Sequence, residues 1–525
     1  MKEFLFDTVP VVKTGKGKIK GYKYDGVYTF KGIPYARAGR FQAPHEIEEW
    51  SGEMETVSYG CVCPLLKTVR PINELLVPHR YWIQDENCQN LNIWTSVLDP
   101  GAKLPVLVWI HGGGYVAGSS IEQKVYNGSN LSKAGSMVVV SVNHRLNILG
   151  YLDLSFCGAR YDNSGNAGQM DLIAALKWIR ENIRNFGGDP ENVTLMGQSG
   201  GGGKISALLQ TPAADGLYQK AIIMSGILNN ILPPQYGDGR RIVRAMLGRL
   251  GLEEKDAFRL ETLPYPALAQ AYLCVKEEVE ESGGYVGNVP LVNSFFPGDA
   301  MEVGFTEQAR RIPLMVGTTF GELLSQLPEE CLRGAYLSGS DGVQTECAAD
   351  KQVGNLGKKI LRLFKQAYPD KNIEDLLWLD SWGFRLPSRQ YVLAKAACSK
   401  APVYSYIFTL NFSYHGSRPA WHCSELPFVF RNLQKAPISN IPEISEHIRE
   451  QFSRAVVSFA HNGNPSHRGL PEWKACMPEH ENIMVLDEKC EMKQDFDSKL
   501  IELHAGVMPE RVRKYSAGKT DYTQH

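Results

Sequence analysis

Two short stretches of this chain carry residues whose types and spacing could do chemistry. Gly197-Gln198-Ser199-Gly200-Gly201 is a G-x-S-x-G pattern, placed after an apolar segment at Val193–Met196 and before a helical pattern from Ile205. A strand-to-helix turn this tight admits only small neighbours and holds the serine oxygen clear of the sheet, where it can attack an acyl carbon. A plain Gly-rich turn explains this motif alone equally well. The second stretch, His111-Gly112-Gly113-Gly114-Tyr115, follows another apolar segment at Pro105–Ile110. Consecutive glycines let backbone N–H groups converge on one point, and a donor placed where an oxyanion develops is worth ~2.7–4 kcal/mol. Together the two motifs point to a serine nucleophile, Ser199, with an oxyanion-binding turn. A phosphate loop is excluded, because G-x-x-x-x-G-K-[ST] ending at Lys204 would need Gly at Gln198 and Ser or Thr at Ile205.

A serine nucleophile needs a base and a group that orients the base. Where this elbow occurs in hydrolases, the acid and then the histidine follow the serine along the chain. The segment Pro313–Val316 runs into Gly317-Thr318-Thr319-Phe320-Gly321-Glu322, placing Glu322 beyond a strand terminus, where sites in such sheets collect. Two histidines stand close together downstream, His415 and His422, and both are candidates for the base. His111 is expected to be a packed supporter of its turn.

These residues need elements that bring them together. Pro105–Ile110 and Met137–Val142 are continuous apolar runs rich in β-branched residues, expected as strands buried on both faces of a parallel sheet. Val193–Met196, Ala221–Met224 and Pro313–Val316 are similar. Between them Leu172, Leu176, Ile179 and Ile183 recur at helical spacing in Gln169–Phe186, and Gly187-Gly188-Asp189-Pro190 ends that helix. Strand and helix alternate, which predicts an α/β architecture. Residues 232–305 are less regular and are expected to form a helical insertion near the site. The charge run Lys276–Glu281 within them fits a solvated helix face.

Composition narrows the partners. The 525 residues carry 56 Lys+Arg against 57 Asp+Glu, a net charge of −1, so nothing favours a nucleic acid or an anionic membrane. The apolar runs have strand length, far short of the ~20 residues of a membrane span. Eleven cysteines without a C-x-x-C pair, and no N-terminal apolar run of signal-peptide type, lead to the expectation of reduced thiols and a cytoplasmic location. No metal or cofactor is expected: His45-Glu46-Ile47-Glu48-Glu49 fails H-E-x-x-H at its last position, and no G-x-G-x-x-G stands in a dinucleotide-binding context.

With these motifs in view, the chain resembles the type-B carboxylesterases of the carboxylesterase/cholinesterase family, which have the α/β-hydrolase fold. The likeness runs through Gly17–Gly21, Phe30–Ala36, Asn87–Trp94, His111–Tyr115, Asn143–Leu146, Asn166–Asp171 and Phe186–Pro190 with the serine elbow. It continues in Gly317–Glu322, His422–Phe430 and Phe459–Pro465. The resemblance implies Ser199 as nucleophile, Glu322 as acid and His422 as base. In the family the histidine is followed three residues later by Glu and then by an aromatic strand, which Glu425 and Phe428–Phe430 match and Arg418, three after His415, does not. It implies an oxyanion hole from the N–H groups of Gly113, Gly114 and Gly200. Gln198 and Glu425 would flank the triad.

The departures from the family pattern carry information. Gln198 stands where the family commonly has Glu, removing a charge that would favour a cationic ester. Gly200 replaces the usual Ala, and Cys423 replaces the Gly expected after the histidine. A Cys63–Cys88 bridge is implied by the resemblance, and a cytoplasmic location argues against its forming. The whole chain, 1–525, is expected to be one catalytic domain, a serine carboxylic-ester hydrolase acting on small neutral to apolar esters through an acyl-enzyme. The alternatives are amide or carbamate hydrolysis by the same triad, or a non-catalytic binding member of the fold. The sequence does not decide between monomer and dimer.

Overall fold

A computed structural model describes residues 4–5, 9–67, 76–233, 235–322, 355–413 and 417–507. Among them runs a twelve-stranded sheet. Seven consecutive strands are parallel, in spatial order Val138–Val142, Leu104–Ile110, Gly188–Gln198, Lys220–Met224, Leu314–Thr319, Val403–Phe408 and Asn482–Leu486. Antiparallel strands extend both edges, Asn90–Thr95 on one side and Glu491–Gln494 on the other. Each strand expected from its apolar run is present, with bounds shifted by a few residues.

The central strands are mostly apolar and mostly buried because both faces are covered. Successive side chains alternate between two cores. Val106, Val108, Ile110, Val138, Val140, Leu195, Ile223 and Val316 pack on one face under the helices Ala167–Asn182 and Gly200–Gln210. Leu107, Trp109, Val139, Met196, Ile222, Met224 and Met315 pack on the other, against Phe452, Val456 and Phe459 of the helix Ile444–Asn462. Burying a Val, Leu or Ile side chain contributes about 1.5–3 kcal/mol, so this two-sided core supplies much of the stability.

The helix expected over Gln169–Phe186 spans Ala167–Asn182 and tightens into a 3₁₀ turn at Ile183–Phe186, and Gly187 closes it at φ +81°. Its Asp171 makes a buried bidentate pair with Arg145 (Nη2–Oδ1 2.7 Å, Nε–Oδ2 2.8 Å), joining two of the family-like motifs. The 232–305 region contains helices at Arg240–Arg249, Tyr265–Leu273 and Lys276–Glu281. The last has only Val279 buried, as a solvated face requires.

Two expectations are corrected. The helix after the elbow begins at Gly200, not Ile205, so four glycines lie inside its first turn. The aromatic segment after His422 is not a strand: Leu426–Val429 forms a helical turn with Pro427 in its first positions. A proline there needs no N–H partner and has the helical φ already set. Cys63 and Cys88 are buried side by side and carry free thiols. No helix among the described residues is long and apolar enough to cross a membrane.

Candidate active site

Parallel strands gather their C-terminal ends at one edge, and the chemistry-bearing residues sit there. His111 follows Leu104–Ile110, Ser199 follows Gly188–Gln198, Ser225 follows Lys220–Met224, and Glu322 lies three residues past Leu314–Thr319. Pairing of Gly197 with Ile110, and of Gln198 with Met224, puts the elbow between its two neighbours. The backbone is strained here. Ser199 (φ +57°), Ser225 (+45°), Glu322 (+34°) and Cys423 (+75°) all take positive φ, which L residues rarely adopt and which clusters at functional sites.

The glycines are required by proximity. A Cβ on Gly200 would lie 2.0 Å from the carbonyl oxygen of Gly114, and one on Gly201 would lie 2.0 Å from that of Ile110. The Gly-rich turn and the elbow are therefore pressed together, with Gly113 and Gly114 at φ +85° and +61°. The Gly200 N–H opens a helix and so has no partner within it.

Glu322 and His422 meet: the ring Nδ1 is 2.5 Å from Glu322 Oε2. The other carboxylate oxygen, Oε1, accepts from the Ser225 hydroxyl and from the Thr319 N–H, both at 2.7 Å. Glu322 and His422 are 1% and 5% exposed, so neither bond competes with bulk water. His422 Nε2 lies 3.1 Å from Gln198 Nε2, and Gln198 Oε1 accepts from the Cys423 thiol at 3.2 Å. The Phe384 ring covers the imidazole at 5.1 Å. His415 lies outside the described residues.

Glu425 is fully buried and neither carboxyl oxygen has a hydrogen-bond partner. Burial, reinforced by the nearby Glu322 charge, pushes it up to about 8, so it is a neutral acid at pH 7. Asp380 is pushed up to about 6 by burial and the same charge, against the pull of N–H bonds from Gly383, Phe384 and Arg385.

Behind the Gly-rich turn is a group that the sequence motifs did not reveal. Lys204, fully buried on the elbow helix, donates to the His111 carbonyl oxygen at 3.1 Å. Burial brings it down to about 7 and Glu122 up to about 7. His111 and His144 have ring centroids 4.9 Å apart, and burial together with Lys204 lowers both. Sequence reasoning also passed over Ser225, Thr319 and Asp380. Ser225 had a signal, since it immediately follows an apolar strand in the same way Ser199 does.

A mostly parallel sheet, a serine elbow at its C-terminal edge and an acid–histidine pair reaching that edge from later strands define an α/β-hydrolase. Residues 8–503 match the Carboxylesterase family. The chain belongs to that family and is a carboxylic ester hydrolase. It is 33% identical to the para-nitrobenzyl esterase of Bacillus subtilis (strain 168), over 94% of this chain and 97% of that one. A solved esterase from anaerobic Clostridium hathewayi, described as hydrolysing aliphatic aromatic polyesters, superposes with TM-score 0.93 at 50% identity over 97% and 100% of the two chains. A solved PNB esterase gives TM-score 0.74 at 32% identity, over 94% and 100%.

Proposed function

We propose that Ser199 is the nucleophile, His422 its general base and Glu322 the group that orients the base. The contact between Glu322 Oε2 and His422 Nδ1, made at the edge where the elbow places Ser199, carries this reading. With Nδ1–H given to the carboxylate, Nε2 keeps its lone pair and can take the Ser199 proton as the hydroxyl attacks the ester carbonyl. The N–H groups of Gly113, Gly114 and Gly200 hold the oxyanion. The alcohol leaves with the proton from His422, and water, deprotonated by the same ring, releases the acid from Ser199.

The substrate class is a neutral to apolar ester. Gln198 supports this, because the residue beside the nucleophile brings no negative charge, and so does the polyester hydrolysis attributed to the Clostridium relative. The reading takes 1–525 as one catalytic unit working in a reducing, cytoplasmic setting. The order of the strands supports the first part and the free, adjacent Cys63 and Cys88 thiols the second.

Ser199→Ala should lower kcat on a p-nitrophenyl ester by ~10⁴ or more. Retention of a tenth of the activity would remove Ser199 from its role, as would an organophosphate adduct mapped to a different peptide. A matched anilide turned over as fast as the ester would replace the ester reading with an amide one.

A further inference from the structure

We propose that the Gln198 carboxamide is a positioning residue for His422, oriented by the Cys423 thiol so that its N–H end faces His422 Nε2. The proposal rests on His422 being the general base. A carboxamide has one donor end and one acceptor end, and its two flips present opposite faces to a neighbour. Here both ends are engaged, with Oε1 3.2 Å from Cys423 Sγ and Nε2 3.1 Å from His422 Nε2. The Cys423 thiol, which the Gln123 side chain also contacts, donates to that oxygen and so favours it on its own side. Burial raises Cys423, and that keeps the sulfur protonated.

The flip so chosen suits only one form of the ring. A Gln198 N–H needs an acceptor, which His422 Nε2 is when the imidazole is neutral and its proton sits on Nδ1 against Glu322. An imidazolium would set two donors face to face. The amide N–H and the Ser199 hydroxyl compete for the one Nε2 lone pair, so the ring must leave Gln198 before it takes the Ser199 proton.

Cys423 stands at φ +75°, where glycine is free and a side chain costs energy. It supplies a variant that separates the two effects, because Cys423→Gly relaxes the backbone while removing the thiol.

The other ionisable groups around His422 and its neighbours are Glu322 beyond its strand, Asp380 just after the 3₁₀ turn Ile373–Trp378, Glu425 on its own turn, and Glu122, Tyr126 and Tyr406 around Cys423 and Glu425. None of them changes in the variants below.

The experiment is the pH profile of kcat/KM on a neutral p-nitrophenyl ester. Gln198→Glu, nearly isosteric, replaces the donor at Nε2 with a carboxylate that favours the imidazolium, and should move the acidic limb up by about one pH unit with KM little changed. Cys423→Gly should melt no lower than the parent yet shift the same limb upward by about half a unit, and Cys423→Ser, whose hydroxyl also donates, should bring it back. An unmoved limb in Gln198→Glu overturns the proposal, as do identical profiles for the Gly and Ser variants. Organophosphate labelling of each variant keeps the two levels apart. An adduct on Ser199 with an unmoved limb sinks the Gln198–Cys423 pair alone, whereas an adduct elsewhere sinks the triad itself.

Discussion

The two flanks of Ser199 are built from opposite charges and meet the same solvent problem. On the flank proposed to handle protons stand three buried carboxyls, Glu322, Glu425 and Asp380; on the flank proposed to hold the oxyanion stand Lys204, His111 and His144, with Glu122 beside Lys204. Removal from water raises Glu425 and Asp380 and lowers Lys204 and the two histidines. What differs is how each flank is wired. Glu322 takes bonds from Ser225, Thr319 and His422, and Glu425 takes none. Within one buried region the carboxylate proposed to orient the base is hydrogen-bonded, whereas Glu425, whose oxygens have no such partner, is raised to about 8. On the other flank the side chains work through backbone: Lys204 acts on a carbonyl one residue before the Gly-rich turn.

The largest effect expected on this comparison comes from Glu322→Gln. Oε1 is held by two donors, so the amide oxygen would stay with Ser225 and Thr319 and the NH₂ would face His422 Nδ1. That forces the ring proton onto Nε2, the wrong tautomer for a base. We expect kcat to fall about 10³–10⁴-fold with the fold intact by circular dichroism. An unchanged rate would assign the orienting role to another acid.

Lys204→Met probes the other flank and should act less strongly, because it moves donors and does not remove one. A loss of about tenfold in kcat with KM unchanged is expected, smaller than the 10²–10³ for deleting an oxyanion donor. Its pH signature is separate. A lysine lowered to about 7 when folded and near 10.4 when unfolded binds more protons unfolded, so parental stability rises from pH 7 to 10. The Met variant should lack that rise. A melting-temperature difference that stays constant with pH would show that Lys204 is not held in its lowered state.

How much of this was legible depended on whether a signal is local. Both Gly-rich motifs and the buried strands are contiguous, so the sequence alone marked Ser199 and the Gly-rich turn as candidates and predicted the central strands. Glu322 and His422 needed chain order and family likeness, since neither has a local pattern. Lys204, Ser225, Thr319 and Asp380 join the site only because parallel strands and the elbow helix bring distant residues to one edge. Leu426–Val429 was misjudged because a four-residue apolar run has no decisive period and Pro427 tipped it to helix. The helix start at Gly200 defied propensity for a tertiary reason. The close approach of Gly114 and Ile110 leaves no room for a Cβ, and packing overrode the roughly 1 kcal/mol per glycine.

The smallest expected change in rate, and the most informative about wiring, is that of Glu425→Gln. The carboxyl is raised to about 8 folded against about 4.3 unfolded, so the folded state binds the extra proton between those values. Stability then falls as pH rises from about 4 to 8, and the full penalty is present above 8. An amide has nearly the shape of the protonated acid and no proton to lose. Glu425→Gln should therefore match the parent near pH 4, gain on it steadily toward pH 8 by about 1 kcal/mol or more, and change kcat at pH 7 less than about threefold. If the variant is less stable at pH 8, Glu425 is ionised in the fold and has a partner. The contrast with the fully bonded Glu322 would then fail.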